Sequence, residues 1–266
     1  MSKSNDRVLR FYHEVGGLDS LHYGIWLPDD ELSIEKLKQA QERYDHYLID
    51  KIPDGVKSIL EVGCGTGVLI KKLIGLGYNV EGLSPDINQK KIITETINAT
   101  FHHLAFEDFS KTDQYDCIIM SESAQYISID KILENSKQAL KKDGYLMICD
   151  YFVLKNSSRK LSKSGHAYED FMNQIKNSDF TVITENDLTE SITKTLDFGK
   201  ETVKRIFKAL EIGTERIRDR HPQICNFLFW LFKTKTNKLM QKIQSLDSIE
   251  FKRNKTYRFI LLQINS

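Results

Sequence analysis

Seven residues constrain this chain more than any others: Glu61-Val-Gly63-Cys64-Gly65-Thr-Gly67, set between the apolar run Ser58-Ile-Leu60 and the apolar run Val68-Leu-Ile70. Glycines at every second position let a backbone turn sharply and let a ligand reach the peptide without a Cβ in the way. A strand, such a turn and a helix in succession form one βα unit, whose helix N-terminus offers free N–H groups. The spacing is informative too. Dinucleotide-binding turns run Gly-x-Gly-x-x-Gly. This one runs Gly-x-Gly-x-Gly, with Val68 where the last glycine would stand and Glu61 two residues ahead of the first.

Strand and helix patterns then alternate. Strands are predicted at 58–62, 79–83, 100–104, 115–120, 145–152, 180–184 and 256–264, and helices at 67–76, 86–97, 129–140 and 166–177. A further helix is predicted at 33–49, with Ser33 as its N-cap. Repeated βα units of this length imply an α/β fold: a Rossmann-like, mostly parallel seven-stranded sheet with helices on both faces. Residues 187–246 read as helical, and a last strand returns to the sheet. The expected division is an N-terminal helical lid (1–52), a cofactor-binding core (53–186), a helical cap insertion (187–247) and the closing strand (248–266).

Composition excludes several classes. The chain has 38 basic and 37 acidic residues, a net charge of +1, which gives no reason to expect a nucleic-acid partner. None of Cys64, Cys117, Cys149 and Cys225 forms a Cys-x-x-Cys pair, so no metal site is expected. No stretch approaches a membrane span and no apolar signal region opens the chain, so a cytoplasmic protein with no stable membrane insertion is expected.

The run from Glu61 to Gly67 resembles motif I of class I S-adenosylmethionine-dependent methyltransferases, and the resemblance extends from about Tyr12 to Phe152. It implies that Glu61, Gly63, Cys64, Gly65 and Gly67 cradle the amino-acid end of S-adenosylmethionine, which leaves as S-adenosylhomocysteine. In many members an acid ends the second strand and holds the ribose, but Ser84 stands there. Gly82-Leu-Ser84-Pro-Asp-Ile-Asn-Gln89 is instead similar to the cyclopropane-fatty-acid synthase and mycolic acid methyltransferase subgroup, which implies ribose contacts from Ser84 and Gln89. Gln89 as a solvated helix residue stays open. Ala105-Phe106-Glu107-Asp-Phe109 looks like that subgroup's adenine-holding stretch, with Phe106 on the purine face and Glu107 near its amine; Phe106 as plain core is the alternative. Met120 and Gln125 fall where the family flanks the methionine part. The usual Glu-His pair is here Gln125-Tyr126, a departure that argues against cyclopropanation. His22-Tyr23-Gly24-Ile-Trp26 resembles a lid run of small-molecule members and adds Tyr23 to the cofactor contacts, unless it is helix-packing surface.

No glycine loop reveals the methyl acceptor. His13, His22 and His166 are candidate general bases, and Tyr126 a residue that orients the acceptor. The apolar run from Ile224 to Phe232 reads as the cap's core, as the lining of a lipophilic acceptor pocket, or, beside the basic stretch 233–242, as a shallow membrane contact. The expected activity is methyl transfer to a small, hydrophobic metabolite or natural product, with a homodimer left open. Its rivals are a nicotinamide-dependent oxidoreductase and a non-catalytic binding protein of the same fold.

Overall fold

The computed structural model describes residues 17–158, 164–221, 223 and 247–265. Tyr12, His13, Cys225, the run 224–232 and the stretch 233–242 lie outside the described residues. Helix α1 (Ile34–Asp50) follows the predicted cap, Ser33 accepting from the Lys36 N–H. The βα units are β1 (Ser58–Val62), α2 (Val68–Gly75), β2 (Asn79–Leu83), α3 (Ile87–Thr96), β3 (Thr100–His102), β4 (Tyr115–Ser121), α4 (Ile129–Ala139) and β5 (Leu140–Val153). They continue as α5 (Tyr168–Lys176), β6 (Phe180–Asp187), α6 (Thr189–Arg220), α7 (Ser248–Asn254) and β7 (Lys255–Ile264).

Seven strands form one sheet in the order β3-β2-β1-β4-β5-β7-β6. The ladders from β3 to β5 are parallel, while β7 runs antiparallel between β5 and β6. Alternate residues of each central strand feed two cores. Ile59, Cys117, Ile119, Met147 and Cys149 pack on one face with α1, α2 and the first turns of α6. Leu60, Val62, Ile118, Leu146 and Ile148 pack on the other with α4 and α5. Burial on both faces is why these strands read as nearly continuous apolar runs.

Two differences from the sequence reading matter. Strand β5 begins at Leu140, straight after α4, because Leu140 pairs with Tyr115 ahead of a register shift in the β4 ladder. The lid region carries no helix at 17–33. That stretch is instead held by hydrogen bonds: Gln41 Nε2 donates to the Ser20 and His22 carbonyls, and the Ile25 N–H to the Ala40 carbonyl. On the other side, Thr195 of α6 accepts from the Gly24 N–H and the Trp26 indole.

Candidate active site

Strand order reverses between β1 and β4, and in open α/β sheets ligands bind at the carboxyl ends of the strands beside such a switch point. The glycine loop sits there. Gly63, Gly65 and Gly67 all have left-handed φ, at 76°, 54° and 80°. A Cβ on Gly63 would collide with the Ser123 side chain, so that glycine serves close packing between β1 and the end of β4. A Cβ on Gly65 would meet nothing within 4 Å, and Gly65 lines a cavity of about 510 Å³. This glycine keeps open an approach to the backbone.

Eleven of the sequence candidates border that cavity. Glu61, Gly63, Cys64 and Gly65 form its loop side, Ser84 and Gln89 one wall, Phe106 and Glu107 the next, and His22, Gln125 and Tyr126 the last. Gly67, Tyr23, Met120 and His166 do not border it. Gly67 packs against Ile93 and Ile97 of the α3 region. Met120 is fully buried in the sheet between Val62 and Ile148. The Tyr23 ring lies edge-on to Tyr257, 5.7 Å between centroids.

Several expected roles change on contact with the geometry. Ser84 Oγ accepts from the Asp86 N–H at 3.2 Å, closing a turn, and Asp86 caps α3 by accepting from Asn88 and Gln89. Gln89 Oε1 is buried with no hydrogen-bond partner, which leaves it the free acceptor of this wall. Phe106 is 1% exposed and stacks on Phe109, so most of the ring belongs to the core and little of it is open to the cavity. His166 Nε2 stands 2.9 Å from the Ala124 carbonyl; meeting a carbonyl requires a proton on that nitrogen, so the ring braces the turn 124–126.

His22 presents both ring nitrogens to acceptors, Nδ1 to the Tyr23 carbonyl at 2.6 Å and Nε2 to Asp45 Oδ1 at 3.1 Å. The second contact is an ion pair rather than an aligned hydrogen bond. Burial pulls the His22 pKa down, but Asp45, Glu122 and the Tyr23 carbonyl together raise it above the ordinary value. An imidazolium cannot serve as a base. Tyr126 is 79% exposed at the cavity mouth.

The sequence reading passed over Glu122. It follows β4 directly with a φ of 56°, a strained conformation for a residue with a side chain. Glu122 Oε1 accepts from the Tyr23 N–H and the Tyr257 hydroxyl, both at 2.8 Å. Tyr257 in turn meets the Tyr44 hydroxyl at 3.0 Å, and Tyr44 meets Ser121 at 2.9 Å. The available signal was an acid closely following the apolar stretch Cys117–Met120 of β4.

Carboxyls therefore gather at the ends of three neighbouring strands. Burial, and then the charge of Asp45, pushes Glu61 up to about 8, and its Oε2 is buried without a partner. Burial likewise raises Glu122 and pushes Asp150 up to about 8. A buried acid resists ionisation, and Glu61, which has no cation among the groups that shift it, is poised to ionise when one arrives. S-Adenosylmethionine carries an ammonium and a sulfonium, and its ribose offers hydroxyl donors. The glycine approach, the partnerless Glu61 oxygen and the partnerless Gln89 oxygen suit that molecule.

A family model described as methyltransferase domain matches residues 37–188. The chain belongs to this methyltransferase family. Membership implies S-adenosylmethionine as the methyl donor and counts against the nicotinamide rival. Among curated relatives, the methyltransferase is 28% identical over 104 residues to a ubiquinone biosynthesis O-methyltransferase of Glaesserella parasuis, a match that takes in 35% of this chain and 44% of that protein. It is 27% identical over 172 residues to the uncharacterized methyltransferase YrrT of Bacillus subtilis, covering 62% of this chain and 75% of that one. The chain thus spans less than half the length of the first of these. Solved structures share the fold: a putative sarcosine dimethylglycine methyltransferase from Galdieria sulphuraria at TM-score 0.75 and 16% identity, over 98% of this chain and 99% of that one. The cyclopropane synthase MmaA2 of Mycobacterium tuberculosis follows at 0.69 and 16%, over 97% and 94%. A geranyl diphosphate C-methyltransferase of Streptomyces coelicolor, in complex with geranyl diphosphate and S-adenosylhomocysteine, gives 0.67 and 14%, over 99% and 98%. No helix among the described residues is long and apolar enough to cross a membrane.

Proposed function

We propose that this methyltransferase transfers the methyl group of S-adenosylmethionine to a small acceptor with an apolar body, which enters past Tyr126. The observation that carries the reading is the partnerless Oε2 of the buried Glu61 carboxyl beside the open space at Gly65. Glu61 is placed to take the cofactor's ammonium, Gly65 to admit its amino-acid tail, and Gln89 to accept from a ribose hydroxyl. The cofactor supplies an electrophilic methyl group; the chain supplies alignment, exclusion of water and a route for a proton.

Glu122 is the residue best placed to handle charge during transfer. It borders the cavity, and its raised pKa makes it a stronger base than an exposed carboxylate. One oxygen is fixed by Tyr23 and Tyr257, so the carboxyl plane is set before the acceptor arrives. Tyr126, at the mouth, is placed to orient the acceptor. Leu21 and Ile127 line the same cavity and support an apolar body for the acceptor, as does the terpenoid diphosphate held by one fold neighbour.

The test has two parts. Calorimetry should show S-adenosylhomocysteine binding in the micromolar range and no binding of NAD. A labelled methyl group should then pass from S-adenosylmethionine to an extractable small molecule in a lysate of the source cell. Binding without transfer would favour a non-catalytic protein of this fold, and no binding would remove the cofactor assignment.

A further inference from the structure

A buried cation stands on the same sheet edge, outside the cofactor cavity. Lys255 opens β7 and pairs with Val153 at the carboxyl end of β5, and only 7% of it is exposed. Its Nζ donates to Ser164 Oγ at 2.9 Å and lies 3.9 Å from the centre of the Tyr151 ring. Among the described residues, no carboxylate forms an ion pair with it. The sequence of the β5–α5 connection offers none: residues 151–168 include Lys155, Arg159, Lys160 and Lys163 but no Asp or Glu. Asp150 is the acid whose field reaches Lys255. Both its oxygens are taken, by the Gln125 N–H at 3.0 Å and the Tyr151 N–H at 2.8 Å. A hydroxyl and a ring face compensate a buried ammonium poorly, and burial brings Lys255 down to about 8.

We propose that Lys255, with Ser164 and Tyr151, forms an anion subsite that takes a carboxylate or phosphate group carried by the methyl acceptor. The subsite rests on the methyltransferase reading for its link to an acceptor, and its observations are separate from those that place the cofactor. Ser164 is exposed, so the ammonium lies one hydroxyl from solvent. The link to the cavity is short. Tyr151 follows Asp150, and Asp150 accepts from the Gln125 N–H of the cavity wall. An acceptor bound past Tyr126 with its anionic end toward Lys255 spans the two sites. An oxyanion supplies the missing counter-charge and accepts hydrogen bonds from both the ammonium and the Ser164 hydroxyl.

The test titrates the protein, with and without saturating S-adenosylhomocysteine, against four probes: decanoate, decyl phosphate, decanol and inorganic phosphate. Both anionic chains should bind about tenfold more tightly than decanol, and inorganic phosphate more weakly than decyl phosphate. Lys255→Met should erase the preference while leaving S-adenosylhomocysteine affinity unchanged. Ser164→Ala, at an exposed position, should narrow it about threefold, with Tm read alongside. Equal affinity for decanol and the anions, or no binding by either anion, overturns the proposal. So does a preference that survives Lys255→Met. Inorganic phosphate binding as tightly as decyl phosphate overturns the acceptor's part in it. Failure of S-adenosylhomocysteine itself to bind would strike the cofactor reading instead, because the probes are also compared in its absence.

Discussion

Tyr23 and Glu122 are 99 residues apart in the chain, and the backbone N–H of one donates to the carboxylate of the other at 2.8 Å. This bond joins the N-terminal segment to the strained residue at the end of β4. Gln at position 122 keeps a carbonyl oxygen for the Tyr23 and Tyr257 donors and loses the negative charge. Glu122→Gln should therefore stay within about 1 kcal/mol of the parent in stability and still bind S-adenosylhomocysteine. Turnover should fall by roughly 10²-fold or more, the usual scale for loss of a general base. Glu122→Ala should also lower Tm, since two donors lose their acceptor. Turnover unchanged in the Gln variant would leave Glu122 as a tether alone.

Gly63 and Gly65 share a left-handed φ but face different surroundings, so the same substitution should separate folding from binding. In Gly63→Ala the new methyl meets Ser123, whose Oγ donates to the Val62 carbonyl at 2.5 Å. Strain and overpacking together should cost about 3 kcal/mol. Gly65→Ala meets nothing, should cost only the left-handed strain of about 1–2 kcal/mol, and should lose S-adenosylhomocysteine affinity by at least tenfold. Denaturant titration and calorimetry on both variants decide this. A stable Gly65→Ala that binds normally would move the cofactor's tail away from this loop.

Gln89 gives a smaller effect. Its buried, partnerless Oε1 gains a donor only when a ligand arrives. Gln89→Leu should weaken S-adenosylhomocysteine by about 1 kcal/mol, close to fivefold, with little change in Tm. If affinity is unchanged while adenosine-free analogues bind as before, the ribose is held elsewhere.

Glu61 makes cofactor binding depend on pH. Its folded-state carboxyl titrates near 8 against an ordinary 4.5, so between those values the fold holds the proton more tightly than the unfolded chain, and stability falls as pH rises through the interval. A cation beside Glu61 reverses the preference and expels the proton. Near pH 7, S-adenosylhomocysteine, which retains the ammonium, should release up to about one proton on binding, visible as a calorimetric enthalpy that scales with the ionisation enthalpy of the buffer. Asp150 titrates in the same range, so the control is Glu61→Gln, which should abolish the release and weaken binding. Proton uptake, or release that persists in the Gln variant, would contradict the role.

Much of this was legible in the sequence because it is written in periodicity and local spacing. The βα alternation, the Ser33 cap and the glycine loop each depend on residues close together in the chain, and each stands where the pattern places it. What escaped depends on partners far apart. His166 reads as a base until the Ala124 carbonyl is found 2.9 Å away. Glu122 is one acid among many until Tyr23, from the N-terminal segment, and Tyr257, near the end of the sequence, converge on it.

His22 supplies the last expectation, through the segment it anchors. Its ring stacks on Tyr44 at 4.4 Å between centroids. Facing it are Asp45, which also pairs with Lys72 at 2.7 Å, the Glu122 charge and the Tyr23 carbonyl. Because the folded-state pKa is raised above 6.5, the imidazolium's contribution is fully present below pH 6.5 and is lost as pH rises through the folded value. His22→Gln removes that contribution at every pH. The stability gap between parent and variant should be about 3 kcal/mol at pH 6, the low end of the cost of breaking a buried pair, and should narrow steadily toward pH 9. Trp26, 4% exposed with its indole on Thr195, reports the segment directly: with Trp230→Phe as background, its emission should shift red in the parent at high pH and in His22→Gln already at pH 6. A gap that widens with pH would mean the ring is neutral in the fold and the Asp45 contact is no ion pair.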